Sequence, residues 1–212
     1  MAVTFNDPNN WDFVIKVGQE EFRILKAVVA PHSKYFERMF AMDMCEGTEN
    51  RVELKDHEPK TVEIILRYCY TNTLETLEMP VLVGVYEAAQ CYMMRDLLEL
   101  CKVQAFMGQS IKCVFDWLRV ANACKDKHLK KMWMDFIVEN NVEVRALPAY
   151  KPFAAENPEI VLELVDRLAL EVNSLKAANR RQEQASEWRQ EDEEEQEEDE
   201  EAFEPDLVVL DD

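Results

Sequence analysis

The sequence predicts an α+β domain, then an all-helical segment, then an acidic tail. Three observations carry that expectation. Segments of alternating polarity crowd into the first 55 residues of the 212-residue chain. From Pro59 onward, apolar residues recur at helical spacing. Residues 191–212 hold fourteen Asp and Glu and no base, so they carry −14 of the net charge of −19 and leave −5 on the rest. Strands grouped at one end and helices thereafter are the pattern of an α+β arrangement.

Residues 1–10 are short and polar and are expected to be disordered. DFVIKV alternates, with Phe13, Ile15 and Val17 on one face and Val14 and Lys16 on the other. Gly18-Gln19-Glu20 supplies a turn, and EFRIL alternates again through Phe22 and Ile24, which makes a β-hairpin. KAVVA is a short helix stopped near Pro31. Ser33 is the expected N-cap of SKYFERMF, whose apolar face is Tyr35, Phe36, Met39 and Phe40. An acidic loop, FAMDMCEGTEN, leads to a third strand, RVEL, at residues 51–54.

Pro59 suits a first helical position. The stripes that follow are Val62, Ile65, Leu66 and Cys69, then Leu82, Val85, Tyr86 and Ala89, then Leu97, Leu98 and Cys101. Val114, Trp117, Leu118 and Ala121 form the next, followed by Leu129, Met132, Trp133 and Phe136. A final helix is capped by Asn157, starts at Pro158, and is expected to bury Val161, Leu164, Val165 and Leu168. Core packing explains each stripe. The chain then turns polar at KAANRRQEQASEWRQ, and the acidic run beyond it is expected to be disordered by self-repulsion.

Composition excludes several classes of function. No apolar run reaches the ~18 residues of a membrane span, and no secretory signal opens the chain. A phosphate backbone needs clustered Lys and Arg, which an acidic body lacks, so no direct nucleic-acid binding is expected. The six cysteines (Cys45, Cys69, Cys91, Cys101, Cys113, Cys124) show no CxxC pair and read as reduced core thiols of an intracellular protein. His32, His57 and His128 have no Cys, Ser or acid arrangement around them, and the four glycines form no phosphate loop. Asp56 and Glu58 sit ahead of Pro59, where a helix N-terminus favours acids. No catalytic residue, metal or cofactor is expected.

The stretch DFVIKVGQEEFRILKAVVAPHSKYFERMF resembles the opening of the BTB/POZ domain. Asp12, Phe22, Lys26, Ala27, Val28, Ser33, Tyr35, Phe36, Met39 and Phe40 fit its pattern in order. RVELKD and VEIILRYCYTNTLE, with Tyr68, Tyr70 and Thr71, are similar to the family's next strand and helix end. The resemblance covers roughly residues 11–105. VANACKDKHLKKMWMDFIVEN and NPEIVLELVDRLAL resemble the BACK-type extension of speckle-type BTB proteins, at 106–175, without a MATH domain. Residues 176–212 form the tail. Leu25 departs from the family, which has His there. The ten or so residues before Asp12, with Pro8 among them, are too short for the additional helix that many BTB dimers use.

The resemblance implies a non-enzymatic protein–protein interaction module. Many BTB proteins are adaptors that dock on cullin-3 in ubiquitin ligases, through a hydrophobic-x-Glu motif before the third strand. Met44-Cys45-Glu46 falls at that place, so Met44 and Glu46 are the expected cullin-docking residues. The alternative is a BTB self-association scaffold, homo- or hetero-oligomeric, in nuclear or transcription-associated complexes without cullin. In the tail, Leu207, Val208, Val209 and Leu210 lie between acids and resemble a SUMO-interacting motif, which would add as a strand to a sheet edge of SUMO. A basic protein is the other partner expected for the acidic run. The expected location is nucleus, cytoplasm or both.

Overall fold

The computed structural model describes residues 4–41 and 50–201, with side-chain environments described as far as Ser186. Two compact units divide after Phe153. The first opens with β1 (Phe13–Val17) and β2 (Glu20–Ile24), paired antiparallel with Ile15 opposite Phe22. Gly18 takes the left-handed φ of 59° that lets the chain reverse in two residues. β3 (Arg51–Leu54) pairs parallel to β1, giving the order β2-β1-β3. The three strands are those expected, with Glu20 opening β2 rather than closing the turn.

Between β2 and β3 lie α1 (Lys26–Val29), a 3-10 turn (Ala30–His32) and α2 (Lys34–Ala41). Ser33 caps α2 as expected: its Oγ accepts from the Phe36 N–H (3.1 Å) and donates to the Tyr92 carbonyl (2.6 Å). The residues that carry the family pattern tie these parts together. Asp12 Oδ1 accepts from the Lys26 N–H at 2.8 Å, and the Tyr70 hydroxyl accepts from the Leu25 N–H at 2.9 Å. Lys26 lies over the Phe13 ring, its Nζ 4.9 Å from the centroid, and donates to Asn50 Oδ1. Leu25 is half-buried. Phe5 packs against Phe22 and Tyr70.

Helices follow: α3 (Pro59–Thr71), α4 (Met79–Cys91), α5 (Arg95–Met107), α6 (Val114–Ala123) and α7 (Lys127–Glu139). Pro59 holds the first position of α3. The expected stripes bury Val62, Ile65, Leu66, Cys69, Leu82, Val85, Tyr86, Leu97, Cys101, Trp117, Leu118 and Trp133. Gln104 of α5 fastens the loop after α3, donating to the Glu75 carbonyl (2.8 Å) and accepting from the Leu77 N–H (3.1 Å). On α7 the buried face is Leu129, Trp133, Met134 and Ile137, while Met132 and Phe136 are half-buried. The stripe is therefore turned by about one residue from its expected line.

Two short helices were not expected, α8 (Asn141–Ala146) and α9 (Tyr150–Glu156). They are built around Val144 and Phe153, both buried; Phe153 stacks on Phe115 at 4.6 Å. The cysteines also need a correction. Cys69, Cys101 and Cys113 are buried, but Cys91 is exposed and Cys124 half-buried; all five described cysteines are free thiols. Burial pushes the Cys69 and Cys101 thiols up to about 12.

In the second unit α10 runs from Pro158 to Glu201, starting where expected. Its buried residues are Ile160 and Leu164; Val161 and Leu168 are half-buried and Val165 is exposed, so the expected face is corrected by about one position. From Ala169 to Ser186 every side chain is exposed, the apolar Leu170, Val172 and Leu175 included, and the backbone there is helical. Glu, Gln, Ala, Arg and Lys all favour helix, and no Pro or Gly interrupts them before Pro205. Among the described residues no helix is long and apolar enough to cross a membrane.

Candidate docking surface

Met44 and Glu46 lie outside the described residues, as do Leu207, Val208, Val209 and Leu210. The described residues on either side of 42–49 belong to α2 and β3. α2 delivers the chain to Ala41 and β3 takes it up again at Arg51. Between them opens a cleft of about 470 Å³, walled by Tyr35, Arg38 and Met39 on α2, by residues 52–56, and by Met93.

Each wall has a local cause. Ser33 anchors the start of α2, while Phe36 is wholly buried and stacks on Phe40 at 5.9 Å. Tyr35 and Met39 flank that buried line, Tyr35 at 37% exposure and Met39 half-buried. On β3, Val52 and Leu54 point inward and Arg51 and Glu53 outward, with Glu53 bonded to Lys16 at 3.3 Å. Met93 has φ of 54°, a left-handed conformation uncommon for a long side chain. It forms the stop of α4: the Met94 N–H reaches back to the Ala89 carbonyl (2.9 Å) and Met94 itself is buried. That bend leaves the Met93 side chain 48% exposed at the cleft edge. The cleft thus offers two flexible thioethers and a phenol, with Arg38, Lys55, Glu53 and Asp56 around them.

Behind this surface, Tyr92 packs with Tyr35, Phe36 and the His57 ring, at 5.2, 5.0 and 5.4 Å. Burial raises the Tyr92 phenol above its ordinary value. The histidines take structural positions: His32 edges against Tyr68, His57 against Tyr92, and the His128 N–H caps onto Asp126. Among the described residues no group of His, Cys, Asp and Glu could hold a metal.

A second apolar surface had not been read from the sequence. Leu100, Val103, Phe106 and Met107 lie along α5, with Val103 at 56%, Phe106 at 61% and Met107 at 82% exposure. Their i, i+3, i+6, i+7 spacing was the available signal.

The polar centre of the first unit joins α4, α5 and the α6–α7 turn. Asp126 caps α7, accepting from the His128 and Leu129 N–H groups at 3.0 Å. The same carboxylate accepts from the Tyr86 hydroxyl (2.8 Å) and pairs with Lys102 (2.9 Å). Burial alone would raise its pKa. The Leu129 N–H, Lys102 and Tyr86 outweigh that and hold it at about 2. Beneath it Trp117 and Trp133 stack at 6.0 Å and 9°, with Tyr86 edge-on to Trp117 at 5.7 Å.

Comparison with known proteins agrees with this anatomy. The family profile for the BTB/POZ domain matches residues 3–105, beginning ahead of the hairpin and including Phe5. The mouse TD and POZ domain-containing protein 4 is 28% identical over 166 residues, covering 78% of this chain and 45% of its own. A BTB/POZ domain-containing protein of Arabidopsis thaliana is 27% identical over 175 residues, covering 80% of this chain and 62% of its own. The chain thus spans about half the length of the curated relatives it matches. The BTB domain of zebrafish PATZ1 is 30% identical, covering 47% of this chain and 77% of that one, with a TM-score of 0.40. BTB/POZ domains are protein-interaction modules that mediate homo- or hetero-oligomerisation. With a profile match from the sheet into α5, and two relatives aligned beyond it, residues 3–105 are identified as a BTB/POZ domain.

Proposed function

We propose that this protein is a non-enzymatic adaptor of a cullin-3 ubiquitin ligase, contacting the cullin through Met44 and Glu46. The observation that supports the reading is the cleft between α2, β3 and Met93, walled by the elements that precede and follow residues 42–49 in the sequence. A flexible Met suits a small apolar pocket on a partner helix. Glu46 accepts hydrogen bonds from that partner's polar groups. Residues 106–175 act in this reading as a BACK-like extension and residues 176–212 as an acidic interaction tail. The client is read by the extension, by the tail or by a partner chain.

Calorimetric titration of the protein with the N-terminal region of cullin-3 tests the proposal. The wild type is expected to bind at micromolar affinity or better, and the Met44→Ala, Glu46→Ala double variant to lose that binding with its fold intact. Absence of wild-type binding would leave a self-association scaffold as the reading. The LVVL segment at Leu207–Leu210 would then be the next surface to titrate, with SUMO as the probe.

A further inference from the structure

We propose that α10 pairs with the α10 of a second copy of this chain as a parallel two-stranded coiled coil over Val161–Gln182. Starting at Val161, a strict four-three spacing selects Val161, Val165, Leu168, Val172, Leu175, Asn179 and Gln182. On a regular helix the five apolar members fall within an arc of about 80°. Val161 and Leu168 in that arc are half-buried, while Val165 is 54% exposed, Val172 47% and Leu175 57%, so the seam is open over its later turns.

The residue types specify what would cover it. With Val165 and Val172 at the a positions and Leu168 and Leu175 at the d positions, the seam carries a β-branched residue at a and Leu at d, the combination that favours two parallel strands. Asn179 occupies the next a position. In a parallel pair it meets the same Asn of the second copy, and the two amides hydrogen-bond across the seam. In an antiparallel pair an a position faces a d position, and the amide would lie against an apolar side chain. Charge selects the same arrangement. Glu171 is at g and Lys176 at the following e, five residues on, which is the spacing by which two parallel, in-register helices exchange ion pairs. Each copy's Glu171 then faces the other copy's Lys176, on both sides of the seam. Pairing of this kind would bring both acidic stretches, residues 191–201, together at one end of a two-chain adaptor.

Disulfide trapping in the full-length protein tests the register whatever the BTB portion does. Leu175→Cys at the seam is compared with Leu170→Cys, which is 70% exposed on the opposite side of the helix. Wild type, with its native cysteines, sets the background. Under mild oxidation Leu175→Cys is expected to give a covalent dimer on a non-reducing gel and Leu170→Cys to stay at background. Adding Lys176→Glu to Leu175→Cys should remove the dimer, and adding Glu171→Lys to both should restore it. Equal trapping at positions 170 and 175, or a Leu175→Cys protein that is helical by circular dichroism and forms no dimer, would overturn the pairing. A dimer band indifferent to the charge reversal would overturn the parallel register.

Discussion

At the scale of single residues, Asp126 is the group whose loss should be felt most among the polar side chains. It is a helix cap and a charged acceptor at once; if it goes, Tyr86 loses its acceptor and Lys102 keeps only Glu99. Asp126→Ala is expected to cost about 3 kcal/mol in urea unfolding, from the lost cap and the charge-assisted bonds together. The pH dependence has a definite sign. A carboxyl held at about 2 when folded, against the ordinary carboxylate value when unfolded, stabilises the fold above pH ~4 and stops doing so as the pH falls toward 2. Urea midpoints measured between pH 5 and pH 2.5 should fall more steeply for the wild type than for Asp126→Asn, which retains a capping side chain without the charge. Tyr70→Phe makes a smaller change: the Leu25 N–H loses its acceptor, at about 1 kcal/mol. In the aromatic core, Trp133→Ala should cost about 3–5 kcal/mol, because that ring is wholly buried against Trp117. Met44→Ala should leave the melting temperature almost unchanged if Met44 serves a partner; a large drop would make it internal packing and remove the docking proposal.

At the scale of elements, the legible and the illegible divide along a physical line. β1, β2 and β3 were legible because alternation has a period of two, and a one-residue error would put Ile15 and Phe22 in water. The cap at Ser33 was legible from local chemistry alone. Helix existence was legible for α3 to α7, but helix rotation was less so. A residue step turns a helix by about 100°, so a stripe read one residue off exchanges the buried Ile160 for the half-buried Val161. The Tyr86–Asp126 bond joins residues 40 apart and has no periodic signature. The α5 stripe of Leu100, Val103, Phe106 and Met107 has the same spacing as a buried one, and its exposure depends on tertiary placement. As for the proposed docking site, the Met44–Glu46 motif came from the sequence and lies outside the described residues, while the cleft of α2, β3 and Met93 came from the fold. Met93, which edges that cleft through a left-handed turn, carried no sequence signal, since glycine or asparagine is the usual residue there.

At the scale of the whole molecule, the first compact unit reaches Phe153, well past the end of the family match at residue 105. The reason is visible in what α6 and α7 cover. Tyr86 on α4 is wholly buried, with Trp117 of α6 edge-on to its ring and Asp126 bonded to its hydroxyl. Lys102 on α5 pairs with the same carboxylate, and with Glu99 on its own helix. A chain ended at Gly108 would keep Tyr86 and Lys102 and lose Trp117 and Asp126, leaving Lys102 with Glu99 alone. It would expose an aromatic face on α4 and remove a charge-assisted acceptor in one cut, two effects that each amount to a kcal/mol or more. For a fragment of this size each kcal/mol shifts the melting temperature by about 4–8 °C. Residues 1–108 should therefore melt at least about 10 °C below residues 1–153, or fail to remain soluble. Circular dichroism melts of the two fragments decide the matter. Equal melting temperatures would mean that the BTB portion completes its own core and that α6 and α7 rest on it without contributing to its stability.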